Sequence, residues 1–183
     1  MMVERIRREH GYMVRLLAIL REKLNCLKNE REINYNLIRE VVDYLANHSE
    51  KVHHPKEDIL YEYYIEKYGH HEQIENLEED HVHLSQSTHA FLDTVDMILQ
   101  DAIVPQHIFI AQLEEFILTQ KRHLDMEEQS ILPLINKSFT TNDWQEVESR
   151  WSVNEDDPVF GDTIAEQYKL LAKRVNASRG ECV

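Results

Sequence analysis

Histidine and glutamate recur at helical spacing along this chain, and they are the residues best suited to chemistry. The sequence contains eleven histidines, and two of them begin His-x-x-x-Glu pairs: His53 with Glu57, and His123 with Glu127. Residues four apart lie on one face of an α-helix, one turn apart, so each pair presents an imidazole and a carboxylate together. Such pairs offer nitrogen and oxygen ligands to a metal ion.

Long helices must position these residues. The chain has only four glycines and four prolines, too few turn residues for a sandwich or a barrel of short strands. Breaks in the helical pattern fall at 28–32, 68–69, 100–105 and 136–142. Because short loops between long helices imply antiparallel neighbours, we predict an all-α fold: an up-down-up-down antiparallel four-helix bundle with a short C-terminal helical extension.

Each predicted helix has a row of apolar residues spaced alternately three and four apart, which is the pattern of a bundle seam. One histidine interrupts the row of the first helix (His10) and one interrupts the row of the third (His81). The two His-x-x-x-Glu pairs interrupt the second and fourth rows. Every helix therefore brings a histidine, with or without a glutamate, to its seam.

The turn positions predict that these polar residues lie at one height in the bundle. Residues equidistant from a turn share a level in an up-down bundle. His10 and His53 lie about 20 and 23 residues from the first turn, and His81 and His123 lie about 22 and 20 from the third, so the mismatch is a few ångströms. Around the second turn, Glu57 and His81 are equidistant. The sequence thus predicts one polar layer.

Two carboxylates in such a layer would cost several kcal/mol each unless they were protonated or paired, and the seam rows offer no lysine or arginine at that level. Bound cations remove this cost. Imidazole and carboxylate ligands without cysteine suit iron or manganese better than a closed structural zinc site. Two carboxylates can also bridge two metal ions, so the pattern favours a dinuclear site.

Two other interpretations of these residues exist. A single histidine on an apolar helix face is usually a hydrogen-bonded core residue, but this explanation weakens when six groups share one level. A ferritin-like di-iron bundle uses Glu-x-x-His pairs, and Glu50–His53 and Glu78–His81 have that spacing. That layout has no place for His123, however, and the first helix carries His10 where it would need a glutamate.

Four segments resemble the hemerythrin-like HHE cation-binding domain family: EHGYM (9–13), HHPKEDILYEY (53–63), EEDHVHL (78–84) and RHLDMEEQSILP (122–133). The resemblance covers residues 1 to about 137. It implies a non-haem di-iron centre with an oxo or hydroxo bridge, which meets O2, NO or peroxide, with Mn as a second candidate metal. The iron ligands that it implies are His10, His53, Glu57, His81, His123 and Glu127.

The chain departs from the oxygen-carrying members of this family at two places. Those carriers have His-x-x-x-His on the third helix, where this chain has Ser85 four residues after His81. Glu127 also follows His123 by four residues, whereas the carriers have a spacing of five. His54 is a candidate for a fifth nitrogen ligand, although it is expected about 100° round the helix from His53 unless Pro55 disrupts the helix locally.

Composition limits the partners and the location. The net charge of −14 would repel nucleic acid and anionic membranes, and no 18-residue apolar run or secretory signal is evident. Cys26 and Cys182 are 156 residues apart and form no CxxC motif, so we expect two reduced thiols in a cytoplasmic protein.

We expect two parts, a metal-binding bundle over 1–137 and an extension over 138–183. In the extension, Asn142 or Asp143 is expected to cap a short helix, and a last amphipathic helix is expected to pack on the bundle or form a homodimer contact. The favoured function is binding of, or response to, O2, NO or peroxide in sensing, iron handling or stress protection. An oxidoreductase or an iron donor for iron–sulfur cluster repair is the alternative, and a metal-free scaffold or phosphotransfer bundle is a third.

Overall fold

The computed structural model describes residues 1–151, 156–177 and 182, and its regular structure in these ranges is entirely helical. Helix α1 spans Met2–Lys28 and ends at Asn29. Its buried face carries the predicted row, in which His10 lies between the apolar residues Ile6 and Met13. The all-α fold class is confirmed, while the up-down-up-down order remains a prediction.

The second predicted helix is a continuous rod of three parts. Helix α2 (Tyr35–Asp43) is capped by Asn34, whose side chain accepts hydrogen bonds from the backbone N–H groups of Asn36 and Leu37. A π-helical segment, Tyr44–His53, follows it. Helix α3 (His54–Tyr68) then continues to Gly69, whose φ of 91° ends the helix in a conformation that suits glycine.

The remaining helices of the predicted bundle lie between residues 72 and 138. Helix α4 spans Glu72–Leu99 and helix α5 spans Gln106–Met126. A second π-helical segment, Glu127–Ile131, joins α5 to α6 (Leu132–Ser138). The breaks between these elements agree with the predicted breaks at 28–32, 68–69, 100–105 and 136–142.

A proline follows each π-helical segment within two residues, Pro55 in α3 and Pro133 in α6. Proline has no N–H to donate to the carbonyl four residues earlier, and its ring clashes with that carbonyl in a regular α-helix. In the wider turn of a π-helix, the backbone N–H of His54 instead reaches Ser49 O, and that of Leu132 reaches Glu127 O. The chain therefore changes register at both His-x-x-x-Glu pairs.

Two apolar clusters make up the core among the described residues, and the polar layer falls between them. Met13 and Leu124 belong to one cluster, while Ile6 and Ile131 belong to the other. On α1, His10 lies between these clusters, and on the α5–α6 rod His123 and Glu127 lie in the corresponding stretch. This arrangement keeps the layer away from bulk water.

The first part of the extension is hydrogen-bonded to α3. Helix α7 (Thr141–Ser149) is capped by Thr140 through a reciprocal capping box with Asp143, and not by Asn142 or Asp143 as expected. Asp143 is fully buried and accepts hydrogen bonds from Tyr63 (2.8 Å) and Tyr68 (2.7 Å). The cap lies earlier than predicted because the Asp143 carboxylate is occupied by the capping box and by α3.

The last part of the extension packs on α2. A short 3-10 turn, Glu166–Tyr168, leads into α8 (Lys169–Val175). Tyr168 donates to Asp43 at 2.7 Å, and the backbone N–H of Leu171 donates to Glu40 at 2.6 Å. The extension therefore packs on the bundle, and the homodimer contact remains a prediction.

The expectation of two reduced thiols is wrong. Cys26 on α1 and Cys182 form a disulfide, with their Cα atoms 5.8 Å apart. The separation of 156 residues did not exclude this pairing, because α8 also lies beside α1, where Arg174 donates to Glu22. The cytoplasmic assignment depended on reduced thiols, so it remains an untested prediction without that support. No helix in the described part of the chain is long and apolar enough to cross a membrane.

Candidate metal centre

The structure brings all the predicted ligand residues together in the buried polar layer. Each of these residues is at most 8% exposed to solvent. This set consists of His10, His53, His54, Glu57, His81, His123 and Glu127.

Glu57 lies among histidines of α1, of the π-helical segment Tyr44–His53 and of α4, where it can be shared. Its Oε1 is 2.8 Å from Nε2 of His10 and 3.0 Å from Nε2 of His53. Its Oε2 is 3.5 Å from Nε2 of His81. The i,i+4 spacing of His53 and Glu57 places both side chains on the inner face, as the sequence pattern predicts.

Glu127 has the same role from the opposite rod. Its Oε2 is 3.3 Å from Nε2 of His10 and 3.4 Å from Nε2 of His123, and its Oε1 is 3.6 Å from Nε2 of His81. Both carboxylates therefore face histidines from more than one helix. Their arrangement suits carboxylates that bridge two metal ions.

His54 belongs to this group, against the expectation that it points off the ligand row. Its ring stacks on His81 with centroids 4.2 Å apart, and it lies 5.9 Å from the ring of His123. The π-helical segment that ends at His53 supplies the reason, because the register change lets two consecutive histidines face the core. The signal in the sequence was the proline directly after the two histidines.

The possible ligand atoms fall into two groups that share Glu57, and within each group they lie no more than 4.8 Å from one another. One group contains His10 and His53. The other contains His54, His81 and His123. A pair of metal positions with two and three histidines fits this division.

A second set of carboxylates contacts three of the histidines at Nδ1, the ring nitrogen that does not face Glu57. Nδ1 of His10 lies 2.7 Å from Glu128. Nδ1 of His53 lies 2.7 Å from Glu9, and Nδ1 of His81 lies 2.8 Å from Asp58. A proton on Nδ1 would be held in these bonds, so each Nε2 would be left to bind a metal.

These outer carboxylates were missed by sequence reasoning, which considered only the seam rows. Each of them is adjacent in the chain to a candidate ligand, but each contacts a histidine of another helix. Glu9, for example, contacts His53, and Asp58 contacts His81. The signal that could have indicated these carboxylates is that each acidic residue lies next to a seam residue in the chain.

Tyr61 is a further residue that the sequence did not indicate. It is fully buried and donates a hydrogen bond to Glu127 Oε1 at 2.7 Å. Burial, together with the nearby carboxylate charge of Glu127, raises the pKa of its hydroxyl well above 10. Tyr64, by contrast, packs among aromatic rings such as Phe139.

Protons balance the carboxylates when no metal is bound. Burial alone would lower the pKa of His10, but the carboxylates of Glu127, Glu128 and Glu57 close to its ring raise it to about 12. Burial likewise opposes protonation of His81, yet Asp58 and Glu127 raise its pKa to about 10. The charges and hydrogen bonds of His53 and His10 in turn hold the pKa of Glu57 well below its usual range, against the effect of burial.

Two of the five histidines in the layer, His54 and His123, are neutral. Burial lowers the pKa of both His54 and His123, and the nearby charge of His81 lowers them further. Neutral imidazole is the form that binds metal ions. The second group therefore contains two histidines that need lose no proton.

Unsatisfied polar atoms test whether a metal fits here. Five buried atoms that face the middle of the layer have no hydrogen-bond partner: Nε2 of His53, His81 and His123, and Oε2 of Glu57 and Glu127. Buried polar atoms without partners are rare in proteins and call for an explanation. Two cations between these atoms would satisfy them, so the residues fit a dinuclear metal centre.

The remaining six histidines lie outside the layer. His70, His83 and His107 are exposed, and His48 and His71 are half-buried. His89 is exposed and binds Glu50 at 3.1 Å, so it takes no part in the polar layer.

Comparison with known proteins agrees with this geometry. Searches of curated proteins and of solved structures found no significant match. The family model described as the hemerythrin HHE cation-binding domain matches residues 1–135, which contain all seven residues of the layer. With three quarters of its length covered by that model and a buried histidine–glutamate cluster suited to a cation, this chain belongs to the hemerythrin HHE cation-binding domain family.

Proposed function

We propose that this protein holds a dinuclear iron centre and binds or responds to a small diatomic molecule or peroxide, in sensing, iron handling or stress protection. The observation that carries the proposal is the convergence of unsatisfied nitrogen and oxygen atoms around two shared carboxylates. Iron is favoured over manganese because five imidazoles are available and the family resemblance implies a bridged di-iron pair.

The two proposed positions differ in their number of ligands. His10 and His53 would serve one iron, and His54, His81 and His123 would serve the other, with Glu57 and Glu127 shared. The position with two histidines has four protein ligands, one fewer than its neighbour. It therefore has more room in its coordination sphere for an added small molecule.

The surroundings limit the ligand to a small molecule. Every residue of the layer is buried, so a large substrate has no access. One turn from His53 and His123 along the chain lie the buried residues Ser49 and Gln120, and Gln120 donates to Thr88 at 2.9 Å. Hydroxyl and amide groups at this level of the core can hydrogen-bond a small polar ligand.

Iron, when bound, supplies redox chemistry towards such molecules. The residues of the chain do the rest: Glu128, Glu9 and Asp58 orient three imidazoles, and Tyr61 holds the Glu127 carboxylate. The two apolar clusters exclude water from the layer.

Metal analysis of the purified protein tests the centre. We expect about two iron ions per chain, because the candidate ligand atoms form two groups that share Glu57. Glu57→Ala and Glu127→Ala should each remove most of the metal, whereas Glu62→Ala, at an exposed position of α3, should retain it. Full metal retention in both layer variants would show that the proposed bridging residues are wrong.

Visible spectroscopy tests the response to ligands. Protein loaded anaerobically with Fe²⁺ should change its spectrum on addition of O2, NO or peroxide, and after O2 it should not return to the reduced spectrum on deoxygenation. A change that reverses over many oxygenation cycles would contradict the sensing or protective role and favour an oxygen carrier. Catalytic consumption of excess peroxide or NO would favour the oxidoreductase alternative.

A further inference from the structure

An ion cluster lies directly behind one of the candidate ligands. Glu9 holds Nδ1 of His53 with Oε2 at 2.7 Å, and the same carboxylate binds Nζ of Lys56 with both oxygens and Nε of Arg5 at 3.0 Å. Lys56 is 0% exposed and Glu9 is 6% exposed. One carboxylate therefore joins two cations to a metal-binding imidazole.

Burial makes this cluster sensitive to its partners. A buried ammonium is stable only when it is paired, and the removal of one partner of a buried ion pair is strongly destabilising. Burial alone would raise the pKa of Glu9, but the hydrogen bonds and charges of His53 and Lys56 lower it to about 2. The carboxylate is thus permanently charged and fixed in orientation.

Trp151, just after α7 in the extension, covers the cluster. The ring of Trp151 lies 4.5 Å from the guanidinium carbon of Arg5 and 4.9 Å from Nζ of Lys56. It lines a surface cavity of about 410 Å³ with Arg5, and Arg5 and Glu9 line another of about 630 Å³. The indole therefore stands between Lys56 and solvent on one side.

We propose that Glu9 is a positioning residue for His53, and that Trp151 couples the extension to metal affinity by keeping the Arg5–Glu9–Lys56 cluster dry. The inference rests on the proposed function. Glu9 keeps the Nδ1 proton of His53 in a hydrogen bond, so that Nε2 faces Glu57 at 3.0 Å. Water at Lys56 would weaken its hold on Glu9 and free the ring of His53 to rotate.

Titration with Co²⁺ tests the coupling. The unmodified protein should bind two equivalents, followed by visible absorption. Glu9→Gln keeps a hydrogen-bond acceptor for His53 but cannot balance two cations, and Trp151→Ala opens the cluster to water. In both variants one of the two equivalents should bind about 10- to 100-fold more weakly. Trp144→Ala is the matched control, because Trp144 packs on Phe139.

Proton NMR of the Co²⁺-loaded protein separates positioning from a general loss of stability. The Nδ1 proton of His53 should give a shifted resonance that exchanges slowly with water in the unmodified protein and rapidly in Glu9→Gln and Trp151→Ala. Trp151→Phe, which keeps an aromatic face, should restore much of the slow exchange. This variant also keeps the test valid if the alanine variant fails to fold.

The outcomes distinguish the two proposals. Failure of the unmodified protein to bind Co²⁺ would contradict the proposed function. If it binds two equivalents, and Glu9→Gln and Trp151→Ala match it in affinity and proton exchange, the positioning role is overturned while the metal centre stands.

Discussion

Single residues in the polar layer have unequal roles in charge and geometry. Glu57 and Glu127 supply the negative charge, and His10 and His81 hold protons that balance it in the absence of metal. His54 carries no charge, and no outer carboxylate among the described residues accepts a hydrogen bond from it. It is a buried imidazole stacked on His81, so its proposed role is to bind metal.

Replacement of His54 tests this role. His54→Ala should lower the metal content from about two ions per chain to about one, because the second position loses one of its three nitrogen ligands. His83→Ala, at an exposed position of α4, should retain both ions. Retention of two ions with an unchanged spectrum in His54→Ala would show that His54 is a core residue and not a metal ligand.

Two kinds of element shape the centre. The π-helical segments Tyr44–His53 and Glu127–Ile131 set the register of the two His-x-x-x-Glu pairs. Helices α7 and α8 add contacts from outside, α7 through Asp143 and α8 through Tyr168. The extension is therefore part of the packed structure in its described ranges.

Removal of the Asp143 carboxylate tests the attachment of α7. Asp143→Ala removes one acceptor from each of the hydroxyls of Tyr63 and Tyr68. It also removes the ion pair with Lys67 and one side of the capping box. We expect the melting temperature to fall by roughly 5–10 °C. Asn142→Ala, at the exposed neighbouring position, should change it by about 1 °C or less. Equal melting temperatures for the two variants would show that α7 adds no stability.

The whole molecule couples metal binding to protons. Its net charge of −14 favours the approach of cations, while the two apolar clusters keep the layer dry. Within the layer, metal ions and protons compete for the same imidazoles. The metal-free protein should therefore lose stability as the pH rises, while the stabilisation that bound metal adds should grow.

The sign follows from the raised pKa values. His10 and His81 have pKa values of about 12 and about 10 in the folded metal-free protein, above the usual 6.5 or so of the unfolded chain. Their stabilisation is complete below the unfolded pKa and is lost as pH rises towards the folded values. Metal affinity moves the other way, rising about tenfold per pH unit for each proton displaced.

Melting curves between pH 6 and pH 9, with and without Co²⁺, test this linkage. The metal-free protein should lose stability as the pH rises, and the difference in melting temperature between the loaded and free forms should widen. A difference that stays constant over this range would show that no proton leaves the layer when metal binds.

The sequence alone predicted the helical class, the breaks between the helices and the residues of the seam. Helical spacing is a local property, so His10, His53, Glu57, His81, His123 and Glu127 could be placed on inner faces from their positions in the chain. The predicted layer followed from turn positions, because helices rise by a fixed distance per residue.

Only the tertiary structure decided the features that depend on contacts between distant segments. Sequence periodicity assumes a regular α-helix, so it could not place His54, whose direction depends on a π-helical register change. The pairing of Glu9 with His53, and of Cys26 with Cys182, joins residues 44 and 156 positions apart. Such contacts leave no periodic pattern in the chain, because they depend on how whole helices pack and not on the turn of any one of them.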